Sequence, residues 1–299
     1  MDILFVKNNV IIFIFIILSG CSTIKAIAID HEFDITYFDS TGKEIEENDV
    51  LKKISNSHYT IIGETHSNIQ DHKIQANILK SIYEYGLKPS LGLEMVPHTI
   101  YSQVLSDYID KKIPFEQLNY LLEWNQNWTY SINIYKNIFL IARYYRIPIY
   151  GLNIPQEIRK SISVNNGFSK LTKEQCQFLP SKIIYPLPEQ ISILKNIFAN
   201  HTSMIKKSSL QDNMQSFKTF LLIQSIWDSS MAEQAIIYRK TNQCSPIIIL
   251  AGSGHVEGEY GIAYRLKKLD PKCKIISILP FRKPIPDKPI ADIYIVPRK

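Results

Sequence analysis

The sequence predicts an α/β fold, in which a mostly parallel sheet is flanked by helices. Three observations carry this. Short β-rich runs alternate with stretches of helical apolar spacing along the chain. The runs near 58–62, 90–96 and 246–250 are largely apolar, as strands covered on both faces must be. The first ends at Gly63 and the second at Pro97, and the third leads through Ala251 into the glycines Gly252 and Gly254.

Taken in order, His58 to Ile62 is the first strand and ends at Gly63. From Asn68 to Tyr85 the apolar side chains Ile69, Ile74, Ile78, Leu79, Ile82 and Tyr83 recur at helical intervals. Ser90 to Val96 is the second strand, closed by Pro97. Residues 97–146 read as several helices rich in Tyr, Leu and Ile. Ile147 to Leu152 is the third strand, ending near Pro155. Residues 155–240 are again helical, interrupted by a loop from Phe178 to Pro188. Pro246–Leu250, Lys274–Leu279 and Asp292–Val296 are the later strands, and a proline-rich stretch from Phe281 to Lys288 links the last two. The two long helical stretches exceed what crossovers need, so they are expected to build a cap or a partner surface.

Residues 1–20 read as a targeting segment rather than as part of the fold. Lys7 precedes an apolar run, Val10 to Leu18, that is far short of the roughly 20 residues a spanning helix needs. Leu18-Ser19-Gly20-Cys21 looks like a bacterial lipobox, which would leave Cys21 as the lipidated first residue of the mature chain. Ser22 then favours sorting to the outer membrane of the envelope. The expected organisation is a lipoprotein signal peptide at 1–20, a tether and lead-in at 21–50, and one α/β domain at 51–299, near the usual upper size of about 250 residues.

The net charge is +6, spread along the chain. No basic stripe with interleaved aromatics occurs, which excludes nucleic acid as a partner, while mild basicity suits anionic lipid or an anionic ligand. Past Cys21 three cysteines remain, Cys176, Cys244 and Cys273, so at least one is unpaired; a Cys244–Cys273 bridge stays open. The absence of CxxC and CxxCH argues against thiol-redox chemistry, a cysteine zinc site and covalently attached haem.

Four clusters carry chemistry. Gly63-Glu64-Thr65-His66 follows a buried strand, where ligands sit in open α/β sheets. Glu64 and His66 are two apart and would point the same way from an extended backbone, which suits a metal-ligand pair or an acid/base pair. Helix capping by Thr65 or Ser67 is the alternative. Glu94 is the one charge in Leu91-Gly92-Leu93-Glu94-Met95-Val96 and needs a partner, since an unpaired buried carboxylate costs several kcal/mol. Ala251-Gly252-Ser253-Gly254-His255 is a glycine-rich turn that presents an imidazole; it is neither a dinucleotide fingerprint nor a P-loop. On the helix before it, Met214, Phe217, Leu221, Gln224, Asp228, Met231, Ala235 and Tyr238 share one face, with Asp228 inside. His72 lies on the helix after His66. HExxH and GxSxG are absent.

In this order the clusters resemble the ChaN-like family of haem-binding lipoproteins, part of a superfamily with Tiki metalloproteases, TraB proteins and erythromycin esterases. The matching pieces are Gly63-Glu64-Thr65-His66 with His72, Gly92-Leu93-Glu94-Met95, Trp227-Asp228-Ser229-Ser230-Met231-Ala232, and Ala251 to His255 followed by Gly261-Ile262-Ala263-Tyr264-Arg265-Leu266. Ala263 departs from the proline the family carries there. The resemblance implies a three-layer α/β/α sandwich with a helical cap. It also implies a lipid-anchored haem-binding protein assisting haem and iron uptake, as a homodimer that encloses haem. Glu64, His66, Glu94, His255 and Tyr264 are then the expected cofactor-binding residues, with tyrosinate suited to ferric haem. The competing expectation is a Tiki-like hydrolase in which Glu64, His66 and His255, with Glu94, gather a divalent metal that activates water.

Overall fold

A computed structural model describes residues 35–202, 210–242, 245–281 and 284–297. The segment 1–20, Cys21 and Cys244 lie outside the described residues; Cys176 and Cys273 are free thiols.

The chain opens with a hairpin, β1 (Ile35–Asp39) and β2 (Glu44–Ile45), then α1 (Glu47–Ser55). β3 (Tyr59–Glu64) leads through α2 (Ile69–Glu84) to β4 (Ser90–Pro97). Four helices follow, α3 (Ser102–Ile109), α4 (Phe115–Leu121), α5 (Trp124–Asn127) and α6 (Lys136–Tyr145), before β5 (Ile149–Asn153). α7 (Gln156–Asn165), the single turn α8 (Lys173–Cys176), α9 (Pro188–Thr202) and the long α10 (Leu210–Thr241) separate β5 from β6 (Ile247–Gly252). α11 (Ile262–Leu269), β7 (Ile275–Pro280) and β8 (Ile293–Pro297) complete the fold.

The eight strands form one sheet in the order β2-β1-β8-β7-β3-β6-β4-β5. β1 runs antiparallel to β2 and β8, and the six strands from β8 to β5 are mutually parallel. Helices cover both faces, giving the expected α/β/α sandwich. The strand cores explain why: every residue of β3, β4 and β6 is buried, so neither face can meet water.

Alternation along β3 assigns the layers. Tyr59 and Ile61 pack with Met231, Ala232 and Ala235 of α10 and with Ile262 and Leu266 of α11. Ile62 and Glu64 face α2, whose Gln75 reaches Glu64. β3 therefore feeds a helix on one face, and its neighbour β6 feeds α11 on the other. Strands that part in this way leave a crevice at their carboxyl ends.

Two differences from the sequence reading concern the ends of elements. Residues 35–50 were expected as lead-in, yet β1 pairs with β8 across five residues and α1 spans the expected boundary at 50/51. The hairpin is short and only partly buried, and its place in the sheet comes from pairing with the distant β8, which no local pattern shows. The cap of α2 is Asn68, whose side chain accepts from the Gln70 amide, rather than Thr65 or Ser67. Among the described residues no helix is long and apolar enough to cross a membrane.

Candidate functional site

A cleft of about 540 Å³ opens over the carboxyl ends of β3, β4, β5 and β6. Glu64, His66, Glu94 and His255 all line it, so the two glycine-associated turns that the sequence singled out meet above one edge of the sheet. The walls are apolar and aromatic: Met95, Trp128, Tyr130, Ile154, Leu194, Ile197, Phe220 and Trp227.

The contact between the turns is direct. His66 lies over Gly252, where an added Cβ would sit 2.6 Å from its Cε1 and 2.7 Å from its Nε2. Only glycine leaves room for the ring, so Gly252 serves the approach of a side chain rather than of a ligand. Gly254, by contrast, faces open space.

Glu64 anchors the first polar group. Its Oε1 accepts from His66 Nδ1 at 2.9 Å and from the Tyr135 hydroxyl at 2.8 Å. Its Oε2 accepts from Gln75 Nε2 at 3.0 Å and lies 3.4 Å from His72 Nδ1. Burial opposes ionisation of Glu64, but the hydrogen bonds and charge of His66 and His72 outweigh it and hold the carboxyl at about 2. His72 responds in kind: burial pushes it down, and Glu64 pushes it further up. Tyr135 is driven far upward by burial and by the Glu64 charge, so it remains a phenol and a donor. Trp128 donates its indole N–H to Tyr135 at 3.2 Å, which links the cleft wall to the buried carboxylate.

His255 anchors the second. Nδ1 donates to Asp228 at 2.6 Å and Nε2 stands 3.4 Å from Glu94. Glu94 also accepts the Gly252 amide at 2.7 Å. Arg265 approaches Asp228 at 3.3 Å and donates to Gln190 and to the carbonyls of Ile184 and Gly261. Burial would discharge His255, but Glu94 and Asp228 raise it to about 9. The group thus contains two carboxylates and two cations, which is how a fold keeps four charges inside without a net one. It ties β4, the turn after β6, α10 and α11 together.

These bonds give the metal expectation no support. Among the described residues no three His, Cys, Asp or Glu side chains are arranged to hold an ion. Both Glu64 oxygens already accept hydrogen bonds, and His255 is held protonated between Asp228 and Glu94. The four residues expected around a metal form two hydrogen-bonded groups, Glu64 with His66 and Glu94 with His255. Tyr264 is on α11 against Arg265 and Lys268 and does not line the cleft; neither does Tyr260.

Sequence reasoning missed Gln75, Trp128, Tyr130, Tyr135 and Arg159, all of which join or line the site. Nothing marks Tyr135 or Tyr130 among seventeen tyrosines. Arg265 did carry a signal, a charge flanked by apolar residues on a short amphipathic helix.

A family model described as haem-binding uptake, Tiki superfamily, ChaN, matches residues 50–266. Among solved structures, one of cofacial haem binding to ChaN of Campylobacter jejuni aligns with a TM-score of 0.69 at 18% identity, covering 89% of this chain and 97% of that one. An erythromycin esterase mutant in its open conformation aligns at 0.48 and 12% identity, covering 88% of this chain and 83% of that one. The type III effector HopBA1 aligns at 0.45 and 12% identity, covering 83% and 91%. No curated protein sequence matches the chain.

Proposed function

The chain belongs to the ChaN family of haem-binding uptake proteins within the Tiki superfamily, and from that premise we propose that the cleft over β3, β4, β5 and β6 is a haem site. The observation that carries this reading is the lining itself. A wall of Trp128, Tyr130, Ile154, Leu194, Ile197, Phe220 and Trp227 faces a polar floor, as a flat apolar macrocycle with a polar iron centre requires. Bound haem would supply a ferric iron that accepts a hard anionic oxygen.

Tyr130 is the residue we assign to that iron in place of Tyr264. It is the one tyrosine among the described cleft-lining residues. Its ring lies 5.4 Å from that of His66. A tyrosinate stabilises Fe(III), which favours holding haem over reducing it. His66 lines the cleft with its ring fixed through Nδ1 by Glu64. Glu64, Glu94 and His255 shape and hold the floor.

The wider role we propose is haem capture for iron uptake at the bacterial envelope, with the chain held to a membrane by lipid on Cys21, in the outer membrane by the Ser22 signal, and acting as a homodimer. The lipobox sequence supports the anchor. Exposed Ile69, Tyr130 and Ile193, on or beside elements that form the cleft, support a second copy closing over it.

Titration of the purified protein with ferric haem tests the reading. A Soret shift that saturates near one haem per chain is expected, and Tyr130→Phe removes the tyrosinate-to-iron charge-transfer band. No Soret shift at stoichiometric haem ends the proposal. Sedimentation with and without haem reads the dimer, and metabolic labelling with a fatty acid reads the Cys21 anchor.

A further inference from the structure

We infer that Arg159 forms an anion subsite in the cleft, taking a carboxylate carried on a flat apolar ligand; for haem, that group is a propionate. The inference deepens the haem reading and rests on it only for the identity of the ligand.

Arg159 occupies the first turn of α7, directly beyond the carboxyl end of β5, and lines the cleft. Its Nε donates to Gln156 Oε1 at 2.5 Å. That bond fixes the plane of the guanidinium and leaves four of its five N–H donors for something else. Among the described residues no acidic group pairs with it, and burial is the only influence on its charge, acting to lower its pKa. The acids that share the cleft are engaged elsewhere: Glu64 with Tyr135, Gln75 and the histidines, Glu94 with the Gly252 amide and His255.

A half-buried guanidinium with no counter-charge is a cost to the empty protein. The fully buried Arg265 provides the contrast. Arg265 has Asp228 at 3.3 Å and structural acceptors on three sides. Arg159 has one neutral acceptor and an open cavity. A planar fork held at one edge presents its other edge for bidentate contact with a carboxylate, the geometry in which Arg outperforms Lys. The aromatic wall that Trp128, Tyr130, Phe220 and Trp227 provide would hold the apolar body of the same ligand. Together these features select an amphipathic planar acid over a neutral ligand of the same shape.

The test compares ferric haem with its dimethyl ester on the intact purified protein, read at the Soret band. A charge-assisted hydrogen-bond pair is worth about 1.5–3 kcal/mol, so native protein should bind haem about tenfold to a hundredfold tighter than the ester. Arg159→Gln should abolish that preference, and Arg159→Lys should restore only part of it. A purely structural arginine would alter stability and leave the acid-to-ester ratio intact. Equal affinity for acid and ester in the native protein overturns the subsite while the haem reading stands, and so does a preference that survives Arg159→Gln. If neither porphyrin shifts the Soret band, the haem reading falls, and 1-pyrenebutyrate against its methyl ester decides the subsite through quenching of Trp128 and Trp227. Preference for the acid, lost in Arg159→Gln, upholds it; equal quenching or none by the two probes overturns it.

Discussion

Asp228 and His255, far apart on α10 and on the turn after β6, are joined at 2.6 Å in the buried layer beside the sheet. Glu94 completes the arrangement from the other side of the ring. An imidazolium between two carboxylates is stable only while both remain, because each is the other's reason for being charged. Asp228→Asn should therefore destabilise the protein by about 3–5 kcal/mol, the usual cost of breaking a buried pair. Urea denaturation measures it. A loss below about 1 kcal/mol would mean that Glu94 and Arg265 suffice without Asp228.

The same cluster makes stability depend on pH on the alkaline side. His255 titrates at about 9 when folded and near its ordinary 6.5 when unfolded. Its contribution is complete below about 6.5 and is lost as pH rises through about 9, because the folded form holds the proton more tightly. The urea midpoint should decline across that window in native protein and decline less in Asp228→Asn. A native midpoint that is flat from pH 6.5 to 9 would contradict the pairing.

Glu64 sets the opposite limb. Its folded carboxyl titrates at about 2 against 4.5 for the free group. Its contribution is present above about 4.5 and is lost as pH falls through about 2. Glu64→Gln should remove part of the acid-side loss, read as a smaller fall in midpoint between pH 4.5 and pH 2.

Tyr135→Phe removes the hydroxyl between Trp128 and Glu64 and changes little in volume. Two groups lose a partner: the Glu64 carboxylate one donor and the Trp128 indole its acceptor. A cost of about 1–3 kcal/mol is expected from unsatisfied buried polar groups. Thermal denaturation checks it, and an unchanged melting temperature would show that the phenol is dispensable.

Gly252→Ala tests the meeting of the two turns. The new methyl would enter the space of the His66 ring, at 2.6 and 2.7 Å from two of its atoms. Overpacking of this kind costs about 1–3 kcal/mol. Because the ring is partly exposed it should swing away, altering the imidazole NMR shifts of His66 and weakening haem binding. Both readouts unchanged would place the ring elsewhere in solution.

Much of the strand–helix order was legible because buried parallel strands and amphipathic helices leave local signatures. Tyr59–Glu64, Ser90–Pro97 and Ile247–Gly252 are apolar runs with punctuation at their ends, and Ile74, Ile78 and Ile82 mark one helical face. The hairpin at 35–45 was not, since pairing with β8 rather than its own pattern holds it in the sheet. Glu64, His66, Glu94 and His255 stood out as polar groups placed where apolar ones were due. What the sequence could not supply was the list of their partners. Asp228 was marked as inward on its helix but not as the partner of His255, while Tyr135, Gln75 and Arg159 are ordinary residues of their own helices or turns and acquire a role only when distant elements pack.

Past the first hairpin and α1, local composition therefore determined which segments are strands and helices, and it marked the charges that need partners. The tertiary structure alone decided that Glu64 turns to α2 while Glu94 turns to the Gly252 amide and His255, that Tyr130 and not Tyr264 reaches the cleft, and that Arg159 faces it without a counter-charge. The reason is physical: periodicity is a property of neighbours in the chain, whereas a buried charge is satisfied by whatever the fold brings within about 3 Å of it.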